Sequence, residues 1–253
     1  MDPITSVQNP TIKLIRSLQE KKYRQETGLF LAEGRKVLAR AQEKGWTAEY
    51  LIFREGEAAA EVEGAKILIV SDKVMASLSA QANPPEVIGV FRQRIIGEMP
   101  LPALTDLWLA LDTIRDPGNL GTIIRTVDAA GGTGVVLIGQ SCDPLSTECV
   151  RATMGSIFAV PLVRMSEDRF LHAAVGWPGE IVATRMEARE DYRRPYRAPV
   201  LLLMGSEGQG LSPRVAGLAN ISVRIPMPGG TESLNVATAA ALMLYEIRRA
   251  NLA

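Results

Sequence analysis

The sequence predicts an α/β protein in two parts: a smaller N-terminal α/β domain and a larger C-terminal domain built on a parallel sheet. Three observations carry this. The chain has 253 residues, long for one ordinary domain and enough for two, each with its own core. From Leu107 onward, short apolar runs alternate with helix-length segments, and continuous apolar strands of this kind suit a parallel sheet covered on both faces. Before residue 97, β-rich segments are separated by helix-compatible stretches. The halves are joined by Gly97-Glu98-Met99-Pro100-Leu101-Pro102, with two prolines and little periodicity. The division is therefore 1–97, a linker over 98–106, and 107–253.

At the start, Asn9-Pro10 supplies a cap and a first-turn proline, and Ile12, Ile15 and Leu18 follow at helical spacing, so one helix is predicted from there to near Gly28. A short apolar run, Leu29-Phe30-Leu31, precedes an amphipathic stretch over 35–44 that Gly45 can end in a left-handed conformation. Strands follow at 50–53, 66–70 and 87–91. In the second half a strand over 107–111, a helix over 120–130 and a strand over 135–138 open the domain. Further strands are predicted at 158–163, 181–184, 200–204 and 221–225. In the last helix Val236, Ala240, Leu244 and Ile247 mark one apolar face, with Glu246, Arg248 and Arg249 on the wet side.

Composition narrows the function classes. Hydrophobic residues at 47% and charged residues at 22% match ordinary globular chains and argue against disorder. No apolar run approaches the roughly 20 residues of a membrane helix, and the N-terminus lacks a basic-then-apolar signal pattern. A cytoplasmic location without a membrane partner is the expectation. Cys142 and Cys149 lie outside CxxC spacing with no histidine nearby, so they read as packing residues and no metal is expected. The single histidine, His172, sits in a helical segment, which makes a Ser/His/Asp triad, a Cys/His dyad or a His-rich metal site hard to build. Lys+Arg and Asp+Glu are equal at 28 each, so there is no global electrostatic footprint for nucleic acid. Residues 1–40 nevertheless hold eight cations, Lys13, Arg16, Lys21, Lys22, Arg24 and Arg35 among them, against four acids. That excess either faces phosphates or is a solvated helix surface.

Three segments place glycines and polar residues directly after an apolar strand, where open α/β sheets bind ligands. They are Asp112-Thr113-Ile114-Arg115-Asp116-Pro117-Gly118-Asn119-Leu120-Gly121-Thr122-Ile123-Ile124-Arg125, then Met204-Gly205-Ser206-Glu207-Gly208-Gln209-Gly210-Leu211-Ser212, then Ile225-Pro226-Met227-Pro228-Gly229-Gly230-Thr231-Glu232-Ser233-Leu234-Asn235-Val236. Each alone is equally a turn or a helix cap. None is a P-loop, and the glycines at 205, 208 and 210 do not have the dinucleotide spacing.

Together and in this order, the three segments resemble the SpoU/TrmH branch of the SPOUT RNA 2′-O-ribose methyltransferases. The resemblance spans about 107–253. Asn9-Pro10 through Phe30-Leu31-Ala32-Glu33-Gly34 looks like the RNA substrate-binding domain that often precedes the catalytic one. The resemblance implies a deep trefoil knot in the C-terminal domain, which generic topology rules would not suggest. It also implies S-adenosyl-L-methionine as cofactor, a homodimer, and an RNA substrate, ribosomal or transfer, with large-subunit ribosomal RNA preferred. Carried over by position, Thr184, Gly205, Ile225, Met227 and Leu234 line the cofactor, and Asn119, Arg125, Glu207, Ser233 and Asn235 surround the reacting groups. A guanidinium is a poor proton acceptor, so Arg125 is read as orienting the nucleotide and stabilising developing negative charge. Ala237 departs from the family pattern, where a serine often stands.

Arg185, Arg189, Tyr192, Arg193, Arg194, Tyr196 and Arg197 mix cations with aromatics. This suits phosphate contact and base stacking, Arg193 and Arg194 foremost, or else a solvated connection diluted by Glu187, Glu190 and Asp191. Two other function classes stay open: an RNA-binding protein that keeps the fold without catalysis, and a Rossmann-type nucleotide enzyme suggested only by Gly131-Gly132-Thr133-Gly134 beside a strand.

Overall fold

A computed structural model describes residues 2–57 and 64–251. In the first part of the chain the elements are α1 (Pro10–Ser17), α2 (Lys21–Thr27), β1 (Leu29–Glu33), α3 (Arg35–Glu43), β2 (Ala48–Arg54), β3 (Lys66–Val70), α4 (Asp72–Leu78) and β4 (Val87–Arg92). The second part adds β5 (Leu107–Asp112), α5 (Pro117–Ala129), β6 (Gly134–Ile138), α6 (Thr147–Ala152), β7 (Leu162–Met165) and α7 (Glu167–Ala174). It continues with β8 (Glu180–Thr184), β9 (Glu190–Asp191), β10 (Val200–Gly205), α8 (Pro213–Ala216), β11 (Ile221–Arg224) and α9 (Val236–Arg248). The chain divides into two compact units, residues 1–94 with 143–159, and residues 95–142 with 160–253.

In the first unit four strands run in the order β1-β4-β2-β3. Only the β2/β3 pair is parallel. Ile12 and Ile15 of α1 and Val74 and Met75 of α4 bury against Leu31, Ile52, Ile88 and Val90 on this sheet, which is what the helical spacing of the apolar residues required. The single helix predicted up to Gly28 is two. Asn9 caps α1 as expected, its side chain accepting from the Thr11 N–H at 2.9 Å. The helix then breaks at 18–20 because the Arg24 guanidinium takes the carbonyls of Leu18 and Gln19, each at 2.8 Å. A continuous helix would have spent those carbonyls four residues on. Gly28, at φ +68°, ends α2.

Residues 143–159, assigned by the contiguous sequence division to the second half, pack with the first unit. Asp143 accepts two hydrogen bonds from Arg24, at 3.0 and 2.7 Å. Phe158 joins an aromatic cluster, its ring 5.1 Å from Trp46 and 4.8 Å from Phe91, and its carbonyl accepts from Trp46 Nε1 at 3.0 Å. This corrects the strand expected over 158–163. With Phe158 held by that cluster, Ser156–Phe158 form a 3-10 turn and the strand starts only at Leu162.

The second unit is a seven-stranded sheet in the order β7-β6-β5-β10-β8-β11-β9, with every pair parallel. Every residue of β5 and β6 is buried, as a parallel sheet covered on both faces demands. Helix α9 packs along α5 and buries Val236, Ala237, Ala240, Met243 and Leu244, while Leu242 and Tyr245 stay exposed. Among the described residues no helix is long and apolar enough to cross a membrane.

Candidate active site

Parallel strands bring their carboxyl ends to one edge of the sheet. Four neighbours, β5, β10, β8 and β11, end there at Asp112, Gly205, Thr184 and Arg224. The three polar segments leave from this edge.

Helix α5 begins with Asp116, whose carboxylate accepts the Asn119 N–H at 2.6 Å, and Pro117 as its first residue. This fixes Asn119 in the first turn. Asn235 caps α9, its Oδ1 accepting from the N–H groups of Ala237 and Thr238 at 2.9 and 3.3 Å. With its oxygen committed to the cap, Asn235 has only its Nδ2 to offer, and this donates to Asn119 Oδ1 at 3.0 Å. The Asn119 Nδ2 in turn donates to the Glu207 carboxylate. Residues of three separate segments thus interlock, and the direction of every bond follows from a helix cap.

Beside this cluster lies a cleft of about 500 Å³. Thr184, Ile225, Met227 and Leu234 form part of its wall, with Ser233 next to Leu234. Thr184 Oγ1 is buried with no hydrogen-bond partner among the described residues, which is uncommon for a buried hydroxyl. Arg224 and Glu232 also line the cleft, and sequence reasoning gave them no role. Their positions directly before Ile225 and Ser233 were the available signal. Gly205 is not on this wall. It is a glycine because a Cβ there would stand 1.9 Å from the Gly210 carbonyl carbon.

Arg125 lies six residues beyond Asn119, about 9 Å along the helix axis. It is exposed and makes no hydrogen bond or ion pair among the described residues, so the structure does not gather it into the Asn119 cluster.

The basic candidates sort into three groups. Lys13 and Lys21 are exposed, Arg16 is partly exposed, and none has an ion pair among the described residues. Lys22 pairs loosely with Glu26 at 3.9 Å, Arg35 bonds Glu86 at 2.6 Å and Glu57 at 2.8 Å, and Arg194 meets Glu190 at 2.8 Å and Glu180 at 3.4 Å and lies over the Tyr196 ring. Arg193 grips Asp191 through two side-chain bonds at 2.8 Å and a backbone N–H at 2.9 Å, which together hold that carboxyl down to about 2. Arg24 is a correction: it is 3% exposed and its donors are spent on Asp143 and two carbonyls. It holds the first unit together and does not face a phosphate.

A buried parallel sheet with a largely apolar cleft and an amide–carboxylate cluster at its strand ends is the arrangement in which open α/β proteins bind ligands. The model of the SpoU rRNA methylase family matches residues 106–245, and the chain belongs to that family. Residues 9–89 match an MRM3-like substrate binding domain. An AdoMet-bound rRNA methyltransferase from Sinorhizobium meliloti is 41% identical, with a TM-score of 0.90 over 100% of this chain and 99% of that one. A 23S rRNA (guanosine(2553)-2′-O)-methyltransferase of Bacillus subtilis is 30% identical over 98% of this chain and all of the relative. An uncharacterised tRNA/rRNA methyltransferase of Synechocystis is 34% identical over 97% of this chain and 93% of the relative. The chain is thus an RNA methyltransferase of the SPOUT α/β fold, as the three segments implied.

Proposed function

We propose that this enzyme transfers the methyl group of S-adenosylmethionine to a ribose 2′-hydroxyl of large-subunit ribosomal RNA, acting in the cytoplasm as a knotted homodimer. The observation that carries the reading is the interlock of Asn119, Glu207 and Asn235 beside a cleft holding the unpartnered Thr184 hydroxyl. The preference for ribosomal over transfer RNA rests on the Bacillus subtilis relative and on the N-terminal unit.

When bound, S-adenosylmethionine supplies an electrophilic methyl carbon on a sulfonium. The residues of the cleft suit it: Ile225, Met227 and Leu234 offer an apolar bed to the adenosyl ring, Thr184 Oγ1 a hydrogen bond, and Glu232 and Arg224 charges for the amino-acid end. Asn119 and Glu207 hold one wall beside the reacting groups, and Ser233 lines the cleft. Positioning supplies much of the rate. Arg125, without a partner among the described residues, orients the nucleotide phosphate or hydroxyl and stabilises the developing alkoxide charge. The hydroxyl proton leaves to water or a phosphate oxygen. Lys13, Arg16, Lys21 and Lys22 present the basic surface to the RNA backbone. Arg35, Arg193 and Arg194 contribute by exchanging their carboxylate partners for phosphates. Across the dimer, the exposed Leu242 and Tyr245 on α9 supply apolar contact.

The test is transfer of labelled methyl from S-adenosylmethionine to separated ribosomal and transfer RNA pools lacking native modification, followed by nucleoside analysis. Label in a 2′-O-methylnucleoside of ribosomal RNA is the expected result. Label on a base overturns the ribose assignment, and label confined to transfer RNA overturns the substrate.

A further inference from the structure

One buried carboxylate stands at the same strand edge without a part in this chemistry. Asp112, the last residue of β5, is 5% exposed. Its Oδ2 accepts the Ser212 N–H at 2.8 Å, and its Oδ1 accepts the Thr113 hydroxyl at 3.0 Å. Thr113 holds a left-handed backbone, φ +56°, uncommon for a β-branched residue. That turn brings its hydroxyl back onto its neighbour. Across the sheet Asp112 is in register with Gly205, the residue before the loop that carries Glu207.

The same loop is pulled shut from its own side. Gly210 N–H donates to the Ser206 carbonyl at 2.9 Å, and the missing side chain of Gly205 admits the Gly210–Leu211 backbone onto the strand end. Ser212, next in line, then starts α8, its hydroxyl accepting from Val215 N–H at 3.3 Å. Residues 206–212 therefore form a small closed loop with two fastenings, one internal and one to Asp112. Glu207 projects from it and receives the Asn119 amide.

We infer that Asp112 is a positioning residue for methyl transfer: its carboxylate clamps the Ser212 amide and so fixes the Gly205–Ser212 loop in the pose that presents Glu207 to Asn119. The inference rests on the methyltransferase reading and deepens it. Asp112 makes no hydrogen bond to Asn119 or Glu207, and its oxygens accept from a backbone N–H and a neighbouring hydroxyl. It acts only through the loop. Geometry matters here and charge does not, because an asparagine at this position keeps an oxygen for Ser212 and presents an amide that the Thr113 hydroxyl can accept.

The experiment compares full-length wild type, Asp112→Ala, Asp112→Asn, Glu207→Gln and the Asp112→Ala/Glu207→Gln double variant in methyl transfer to RNA, with amide exchange read at Gly210 and Ser212. Asp112→Ala is expected to lower kcat by roughly 10–100-fold with little change in KM for RNA, the scale of a small misplacement. Asp112→Asn should restore kcat to near wild type and retain slow exchange at Ser212. In the Glu207→Gln background Asp112→Ala should change kcat only slightly, since coupled residues are not additive. Additive losses, an undiminished kcat in Asp112→Ala, or Asp112→Asn as damaging as Asp112→Ala each overturn the inference. A wild type that methylates no RNA refutes the function reading instead. The clamp is then judged by exchange alone: unchanged protection of Ser212 in Asp112→Ala refutes it.

Discussion

Asn235 donates its side-chain amide to Asn119 Oδ1 at 3.0 Å across 116 residues of sequence. The same side chain caps α9 through its oxygen. Cap and site are therefore one residue with two separable jobs. Asn235→Ala loses both and should cost about 1 kcal/mol of stability together with a fall in kcat. Asn235→Ser keeps a capping oxygen but loses the donor to Asn119. It should melt like wild type yet transfer methyl as poorly as Asn235→Ala. Thermal denaturation and steady-state rates separate the two, and a fully active serine variant would remove the amide link from the mechanism.

Arg125 projects from α5 outside the cleft. Arg125→Ala is expected to reduce methyl transfer by about 10²–10³-fold, the scale of losing one charge-stabilising group, with cofactor affinity by calorimetry nearly unchanged. An equal loss of cofactor binding contradicts the role given to it.

Arg24 and Lys13 look alike in the sequence and differ in the fold. Arg24→Ala leaves the partly buried Asp143 carboxylate and the carbonyls of Leu18 and Gln19 without their donor and should destabilise the protein by about 1–3 kcal/mol in denaturant titration. Lys13→Ala should stay within about 0.5 kcal/mol of wild-type stability and weaken RNA binding. The slope of log affinity against log salt should flatten by about 0.7–0.9 for each phosphate no longer neutralised. An Arg24→Ala protein with wild-type stability would refute the structural role.

Gly205→Ala places a methyl 1.9 Å from the Gly210 carbonyl carbon, a backbone atom that no rotamer change relieves. Overpacking of this kind costs about 1–3 kcal/mol and should also displace the loop after β10. Loss of activity together with lowered melting temperature is the expected pair. Unaltered activity would show that the loop is free to move.

Asp191 titrates at about 2, held down chiefly by the Arg193 side chain. A depressed folded value means that the pair's contribution is present above the ordinary aspartate value of about 3.9 and is lost as pH falls through about 2. In Arg193→Ala the Asp191 carboxyl resonance should titrate higher than in wild type but still below the ordinary value of about 3.9, because the residue 193 N–H and the Arg224 charge remain. A midpoint unmoved by the substitution would show that Arg193 is not committed to Asp191 and is free for RNA already.

Truncation at residue 97 is a poor way to separate the two functions. It would remove Arg24, Trp46 and Phe91 while leaving Asp143 and Phe158, which pack on them. Substitution of Lys13, Arg16 and Lys21 asks the same question of a folded chain.

What the sequence by itself determined was local. Apolar periodicity marked the strands and the final helix, and Asn9-Pro10 marked a helix start, because these signals act within a few residues. The three polar segments, in order, were enough for the family. Only the tertiary structure decided partners. It turned Arg24 inward, drew 143–159 onto the first unit, committed Arg35, Arg193 and Arg194 to carboxylates, left Arg125 without a partner among the described residues, and closed the Asp112–Ser212 hydrogen bond. Charge and polarity in a sequence state what a side chain can bond, and which bond forms depends on atoms that the fold brings from 100 or more residues away.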